Sequence, residues 1–143
     1  MEKILSVKRI FIDCDVILDF ITGREPFSDQ AIVIFSLAER KEIALCTSSL
    51  TYSHLFYLLR KSIPAGKLRE TLKTLAEIVE PLAVDAATIK TALCLEFNDF
   101  EDAIQACSAR EAGISLLLTR NVKDYRKSGL TVRTPLDFIE TLC

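Results

Sequence analysis

The sequence predicts an α/β domain in which a mainly parallel sheet is covered by helices on both faces, and three observations predict it. Short apolar runs, clearest at residues 9–12 and 115–119, are too brief for helices and have the unbroken apolar character of strands buried on both sides. The segments between them carry apolar residues at helical spacing. A length of 143 residues, half of them hydrophobic, with four Gly and four Pro, makes one domain over 1–143 and leaves no linker to divide it.

Taken in order, the first strand, 9–12, stops at Asp13-Cys14-Asp15, and a helix follows over 16–22 with Gly23 as its stop. Ser28 or Asp29 caps a second helix, whose core face is Ile32, Ile34, Phe35, Leu37 and Ala38. Residues 43–47 read as the second strand. Ser48 or Ser49 then caps a third helix carrying Leu50, Leu55, Tyr57, Leu58 and Leu59. Pro64 interrupts that pattern and suits the first turn of a fourth helix running to about Val79. Residues 82–84 form a third strand, and Asp85 caps a fifth helix over 86–95. Asp99 opens a helix of small residues, Ala103, Ala106 and Ala109, that ends at Gly113. The strand at 115–119, a basic loop, an edge strand at 130–132 and a helix from Pro135 through Leu142 complete the chain. Strands joined this way need right-handed crossovers, and ligands bind outside their carboxyl ends.

Charge and cysteine usage exclude several classes. A net charge of −2 excludes a chain held to nucleic acid by a simple excess of positive charge. Five Cys at irregular spacing without a Cys-x-x-Cys pair, and a single His, argue against a disulfide framework and a zinc site; a reducing cytoplasm is the expected location. The apolar stretch 10–21 is interrupted by Asp13, Asp15 and Asp19, unlike a signal peptide, and no apolar run approaches the ~20 residues that span a bilayer, so no membrane partner is expected.

The strand-end rule directs attention to Asp13 and Asp15 after the first strand, to residues 48–54 after the second, and to Thr119, Arg120, Asn121 and Asp124 after the fourth. Asp99 and Asp102 start the helix that leads into that fourth strand. Carboxylates gathered without Lys or Arg raise one another's pKa, and such a cluster normally holds a divalent cation. Oxygen ligands select magnesium or manganese over zinc. Each element also has a plainer reading. Asp13 or Asp15 alone is equally a helix cap, Asp99 and Asp102 alone are better explained by the helix dipole, and His54 reads as a packed or hydrogen-bonded core residue. The basic segments Arg120–Lys127 and Arg60–Arg69 are solvated faces unless a metal site beside them makes them phosphate contacts.

The stretch Ile10-Phe11-Ile12-Asp13-Cys14-Asp15-Val16-Ile17-Leu18-Asp19 resembles the opening of PIN domains, a hydrophobic strand followed by Asp-Thr-Asn-Val-Leu. Asp99 through Cys107, then Leu118-Thr119-Arg120-Asn121-Val122-Lys123-Asp124-Tyr125, is similar to that family's second signature: an acidic helix start, a small-residue helix and a strand ending in Thr-Arg-Asn. The resemblance implies a Rossmann-like, three-layer α/β/α sandwich, an acidic site for Mg2+ or Mn2+, and ribonuclease activity of the kind found in VapC toxins. It implies Asp13 and Asp102 as catalytic acids and metal ligands, Asp99 as their companion, and Asp124 as a further ligand. Asp15 stands in place of the usual Asn, Asn121 where many members carry a fourth acid, and Thr119 orients the strand end. With Arg120 and His54 these form the surroundings of the site and its substrate contacts. His54 stands where members carry a Glu early in the third helix.

Two function classes follow. The first is a metal-dependent ribonuclease, the toxin of a toxin–antitoxin pair, with RNA as substrate, an antitoxin as protein partner and a homodimer as the family's common assembly. The alternative, motivated by the missing Glu, is a catalytically impaired PIN-fold module that binds RNA or protein. A phosphatase of the haloacid-dehalogenase kind shares only the Asp-x-Asp start and lacks a Lys-based second motif.

Overall fold

The structure is a computed structural model, and it describes residues 7–142; residues 1–6 and 143 of the expected domain span lie outside the described residues. Five parallel strands, β1 (Lys8–Ile12), β2 (Ile43–Ser48), β3 (Val79–Leu82), β4 (Leu116–Leu118) and β5 (Thr131–Arg133), form one sheet in the order β3-β2-β1-β4-β5. The chain leaves β1 to one side for β2 and β3 and returns on the other side of β1 for β4 and β5. The order therefore reverses between β1 and β4, which opens a crevice at their carboxyl ends. Asp13 N–H donates to the Leu118 carbonyl at 3.0 Å and closes the seam just below that crevice.

Alternation along the strands explains the two covering layers. Ile10 and Ile12 of β1, with Leu116 and Leu118 of β4, face a core built from α1 (Cys14–Thr22), α2 (Ser28–Glu39), α3 (Ser49–Leu59), α4 (Ala65–Ile78) and α7 (Pro135–Glu140). Phe11 and Leu117 face the opposite layer, where α6 (Phe100–Glu111) presents Ala106 and Ala109; α5 (Ala86–Leu93) packs behind α6. Ile10, Phe11 and Ile12 have no exposed surface, and burial of each contributes about 1.5–3 kcal/mol as an upper bound. The small residues of α6 serve close approach: Ala103, Ala106, Cys107 and Ala109 are all buried.

Caps and stops mostly follow the local chemistry. Asp13 caps α1 by accepting from Cys14 N–H at 2.8 Å, and Gly23 ends that helix in the left-handed region at φ 66°. Asp85 and Thr88 form a reciprocal cap on α5. The expected cap at Ser28 or Asp29 is corrected: the helix begins at Ser28 and the capping position is Phe27, without a side-chain bond. Phe27 and Ser28 already donate their N–H groups to the Arg24 carbonyl, so the turn itself supplies the acceptor. The third strand is corrected from 82–84 to Val79–Leu82, emerging directly from α4. Val79 pairs with Leu45 of β2, and β3 is a sheet edge, where Pro81 is tolerated. The expected basic loop after β4 contains a 3-10 turn over Val122–Tyr125, which delivers Tyr125 to the interior at 1% exposure. Among the described residues, no helix is long and apolar enough to cross a membrane.

Candidate functional site

A cleft of ≈ 260 Å³ opens at the carboxyl ends of β1 and β4, and Asp13, Asp15, Asp99, Asp102, Asn121 and Asp124 all line it. Asp13 sits at its base, 8% exposed, because the residue that ends a buried strand and caps the next helix cannot reach the surface. Its Oδ1 accepts from Cys14 N–H at 2.8 Å and Gln105 Nε2 at 3.3 Å. Its Oδ2 lies 2.9 Å from the Thr119 hydroxyl and 3.0 Å from the Tyr125 hydroxyl.

These two hydroxyls also meet the neighbouring acids. Tyr125 Oη is 3.1 Å from Asp102 Oδ1, and Thr119 Oγ1 is 3.2 Å from Asp15 Oδ2. Each hydroxyl has one proton and faces two carboxylates, so neither can satisfy both at once. Asp15 Oδ2 gains the Arg120 and Asn121 N–H donors at 3.0 and 3.2 Å, but its Oδ1 is a buried atom with no partner among the described residues. Burial, the Asp13 charge and then Asp99 push the Asp102 carboxyl up to about 7, against a weaker opposing bond from Tyr125. Burial and the Asp13 charge push Asp15 up to about 6, against its Arg120 and Thr119 contacts. Cys14, also in the cleft, is pushed up to about 12 by burial and then by Asp13 and Asp15, so it stays a thiol. Burial and the adjacent Asp13 and Asp102 charges likewise raise the Tyr125 phenol.

The structure gathers the expected residues but sorts them. Asp13, Asp15 and Asp102 share the hydroxyl-bridged hub with Thr119. Asp99 caps α6 by accepting from Glu101 N–H at 2.8 Å, and with Asp124 it acts on Asp102 through its charge. Arg120 Nε and Nη2 hold Asp19 Oδ2 and Oδ1 at 2.7 and 3.3 Å, and the guanidinium stacks over Phe27 at 4.1 Å from the ring centre. The expectation that His54 lies in the core is corrected: it lines the cleft with a third of its side chain exposed, and Nδ1 is 3.3 Å from Glu101 Oε2. It falls one turn beyond Thr51 on the face of α3 that looks across at α6.

Sequence reasoning missed Tyr125, Gln105 and Glu101. Gln105 is 6% exposed, and its Oε1 accepts from Thr51 Oγ1 at 3.3 Å, which in turn accepts from Thr47 Oγ1 at 3.0 Å, so a polar chain runs from β2 to Asp13. A lone Gln among Ala103, Ile104, Ala106 and Cys107 was its signal.

The donor set fits a hard divalent cation: oxygen donors, an excess of carboxylate over proton donors, and an orphaned buried oxygen on Asp15. Among the described residues, no three His, Cys, Asp or Glu side chains are gathered closely enough to hold a metal ion as they stand. The hydroxyls of Thr119 and Tyr125 lie between the carboxylates instead.

A family model described as PIN domain matches residues 9–123. Ribonuclease VapC1 of Aquifex aeolicus (strain VF5) is 26% identical over 141 residues, covering 95% of this chain and 96% of the relative. The fold is similar to that of VapBC-1 from nontypeable Haemophilus influenzae, with a TM-score of 0.66 at 18% identity over 90% of this chain and 98% of that one. It is also similar to VapBC2 from Rickettsia felis, solved bound to a DNA fragment from their promoter, with a TM-score of 0.63 at 16% identity over 88% and 98%.

Proposed function

This chain belongs to the PIN domain family, and we propose that it is a metal-dependent ribonuclease that hydrolyses RNA phosphodiester bonds, acting as the toxin of a toxin–antitoxin pair. The observation that carries the reading is the donor deficit at the hub, where Asp13, Asp15 and Asp102 share two hydroxyl protons and Asp15 Oδ1 has no partner. Such a cluster is unfavourable without a cation or a bound proton. The Aquifex relative's name, a ribonuclease, supports the same chemistry.

Asp13 and Asp102 would hold Mg2+ or Mn2+, with Asp99 and Asp124 contributing from the rim and Asp15 from the β4 side. Such an ion, when bound, supplies Lewis-acid stabilisation of phosphoryl charge and an activated water. Thr119 and Tyr125 orient the carboxylates of Asp13, Asp15 and Asp102 through their hydroxyls. Gln105 fixes Asp13 Oδ1 from the opposite side and leaves it little freedom to rotate. The Asp19–Arg120 pair anchors the turn from which Arg120 and Asn121 donate to Asp15.

The test is cleavage of a fluorescent single-stranded RNA with manganese, magnesium or chelator, beside the doubly substituted Asp13→Asn/Asp102→Asn protein. Cleavage that needs the metal and is lost in the double variant is the expected result; equal rates for both proteins would sink the assignment. A second reading, a catalytically impaired PIN-fold module that binds RNA or protein, is favoured by His54 and Asn121 standing where acids are usual in the family. It predicts association without turnover in the same assay.

Three assignments accompany the first reading. A solved structure of similar fold is a toxin–antitoxin complex from Klebsiella pneumoniae, which supports an antitoxin partner; co-expression of this chain with a neighbouring small reading frame and co-purification of the product tests it. A homodimer is carried from the family and a single domain over 1–143 from length and composition, and sedimentation at micromolar concentration tests the dimer. A cytoplasmic location accords with the four free cysteines among the described residues and is tested by fractionation.

A further inference from the structure

Six carboxyl groups line the cleft, and among the described residues no Lys or Arg side chain joins them. Arg120, which precedes the cleft-lining Asn121, is committed to Asp19 through Nε and Nη2. A polyanion entering this space meets charge of its own sign on every wall, and a divalent cation offsets only part of it. His54 is the single lining side chain able to carry positive charge.

We propose that His54 is a substrate-binding residue that takes a phosphate oxygen of the RNA on Nε2, while Glu101, as a positioning residue, holds the ring from Nδ1. This rests on the ribonuclease reading above and names the contact that lets an acidic cleft accept RNA. The geometry supports it from both sides of the ring. Nδ1 faces Glu101 Oε2 at 3.3 Å, and among the described residues no partner meets Nε2. A carboxylate on one nitrogen fixes which nitrogen is left for a ligand, and an imidazolium then donates to phosphate as a charge-assisted bond. α3 brings the ring to the cleft because Thr51, His54 and Leu58 follow one another at spacings of three and four along one helix face, just beyond Ser48 at its N-terminal cap. Glu101 reaches it from the first turn of α6 on the opposite wall.

The reading makes opposite demands on two quantities, which separates it from a structural role. Replacing His54 with Gln keeps a donor and removes the charge. The RNA KM should rise about tenfold, with the metal concentration for half-maximal rate unchanged within about twofold. His54→Glu should raise the RNA KM further and lower the metal requirement, because it adds a carboxylate. A rise in metal requirement with unchanged RNA KM in His54→Gln would overturn the proposal and make His54 a metal ligand. The chain has one histidine, so its imidazole signals in a carbon–proton NMR spectrum are unambiguous and need no variant. They should move on addition of a short single-stranded RNA and stay in place with magnesium alone. If the parent protein fails to cleave RNA, the ribonuclease reading fails on that count alone; the imidazole titration still decides the contact, and unmoved signals overturn it.

Discussion

Two aspartates one turn apart on α1 meet opposite fates. Asp15 and Asp19 are four residues apart on one face of that helix; Asp19 is buried and Asp15 partly so. Asp19 is 2% exposed and receives a bidentate guanidinium that is itself stacked on Phe27. Asp15 lies beside Asp13, keeps one buried oxygen without a partner, and is pushed up to about 6. A buried carboxylate given a matched cation belongs to the scaffold. A carboxylate set beside another carboxylate works against the fold unless a cation or a proton joins it. The charge and placement of the donors separate the two: a cation spans both oxygens of Asp19, whereas the three donors to Asp15 all meet Oδ2.

The sharpest way to break this contrast is to remove each acid in turn. Asp19→Ala strands the Arg120 guanidinium and should cost about 3 kcal/mol in urea unfolding, with or without metal; a loss under about 1 kcal/mol would return Asp19 to the same class as Asp15. Asp15→Asn should act in the other direction on the fold. The metal-free protein should unfold at higher urea at pH 8, while metal-dependent cleavage falls about 10- to 100-fold.

Titration sharpens the same point. Asp15 and Asp102 have folded values of about 6 and 7 against an ordinary 3.8, so the folded chain binds more protons than the unfolded one between about pH 4 and 7. Stability of the metal-free protein should therefore fall as pH rises through that window, and added magnesium should flatten the decline. Thermal melts across the range in chelator and in magnesium check both slopes. The smallest expected effect is that of Tyr125→Phe. Loss of one bridging hydroxyl should change stability by about 1 kcal/mol and shift the metal requirement only a few-fold, as metal titration of the cleavage rate would read.

The residues at strand ends were legible in sequence because topology forces them together: a buried apolar run must end at the sheet edge, and Asp13, Asp15 and Thr119 follow such runs directly. The partners that decide their chemistry were not. Tyr125 looked like the aromatic half of an Asp-Tyr pair, and only the 3-10 turn turns its hydroxyl inward and leaves Asp124 at the cleft wall. Gln105 and Glu101 depend on how α6 is rotated, which spacing within one helix does not specify. His54 was read as core because Leu55 and Phe56 follow it, yet Leu55 alone of the three is fully buried. The start of β3 was hidden because Ile78 and Val79 continue the apolar pattern of α4, and pairing with β2 decides the boundary.

The placement of Tyr125 gives the chain an optical property. It contains no tryptophan and three tyrosines, so its ultraviolet emission is tyrosine emission. Of these, Tyr52 donates to the Val79 carbonyl and Tyr57 is largely exposed, while the Tyr125 phenol lies against two carboxylates, groups that quench an excited phenol by drawing off its proton. An ion that claimed Asp13 and Asp102 would relieve that quenching, and cleft occupancy would become a brightening that a cuvette fluorimeter can follow without a label.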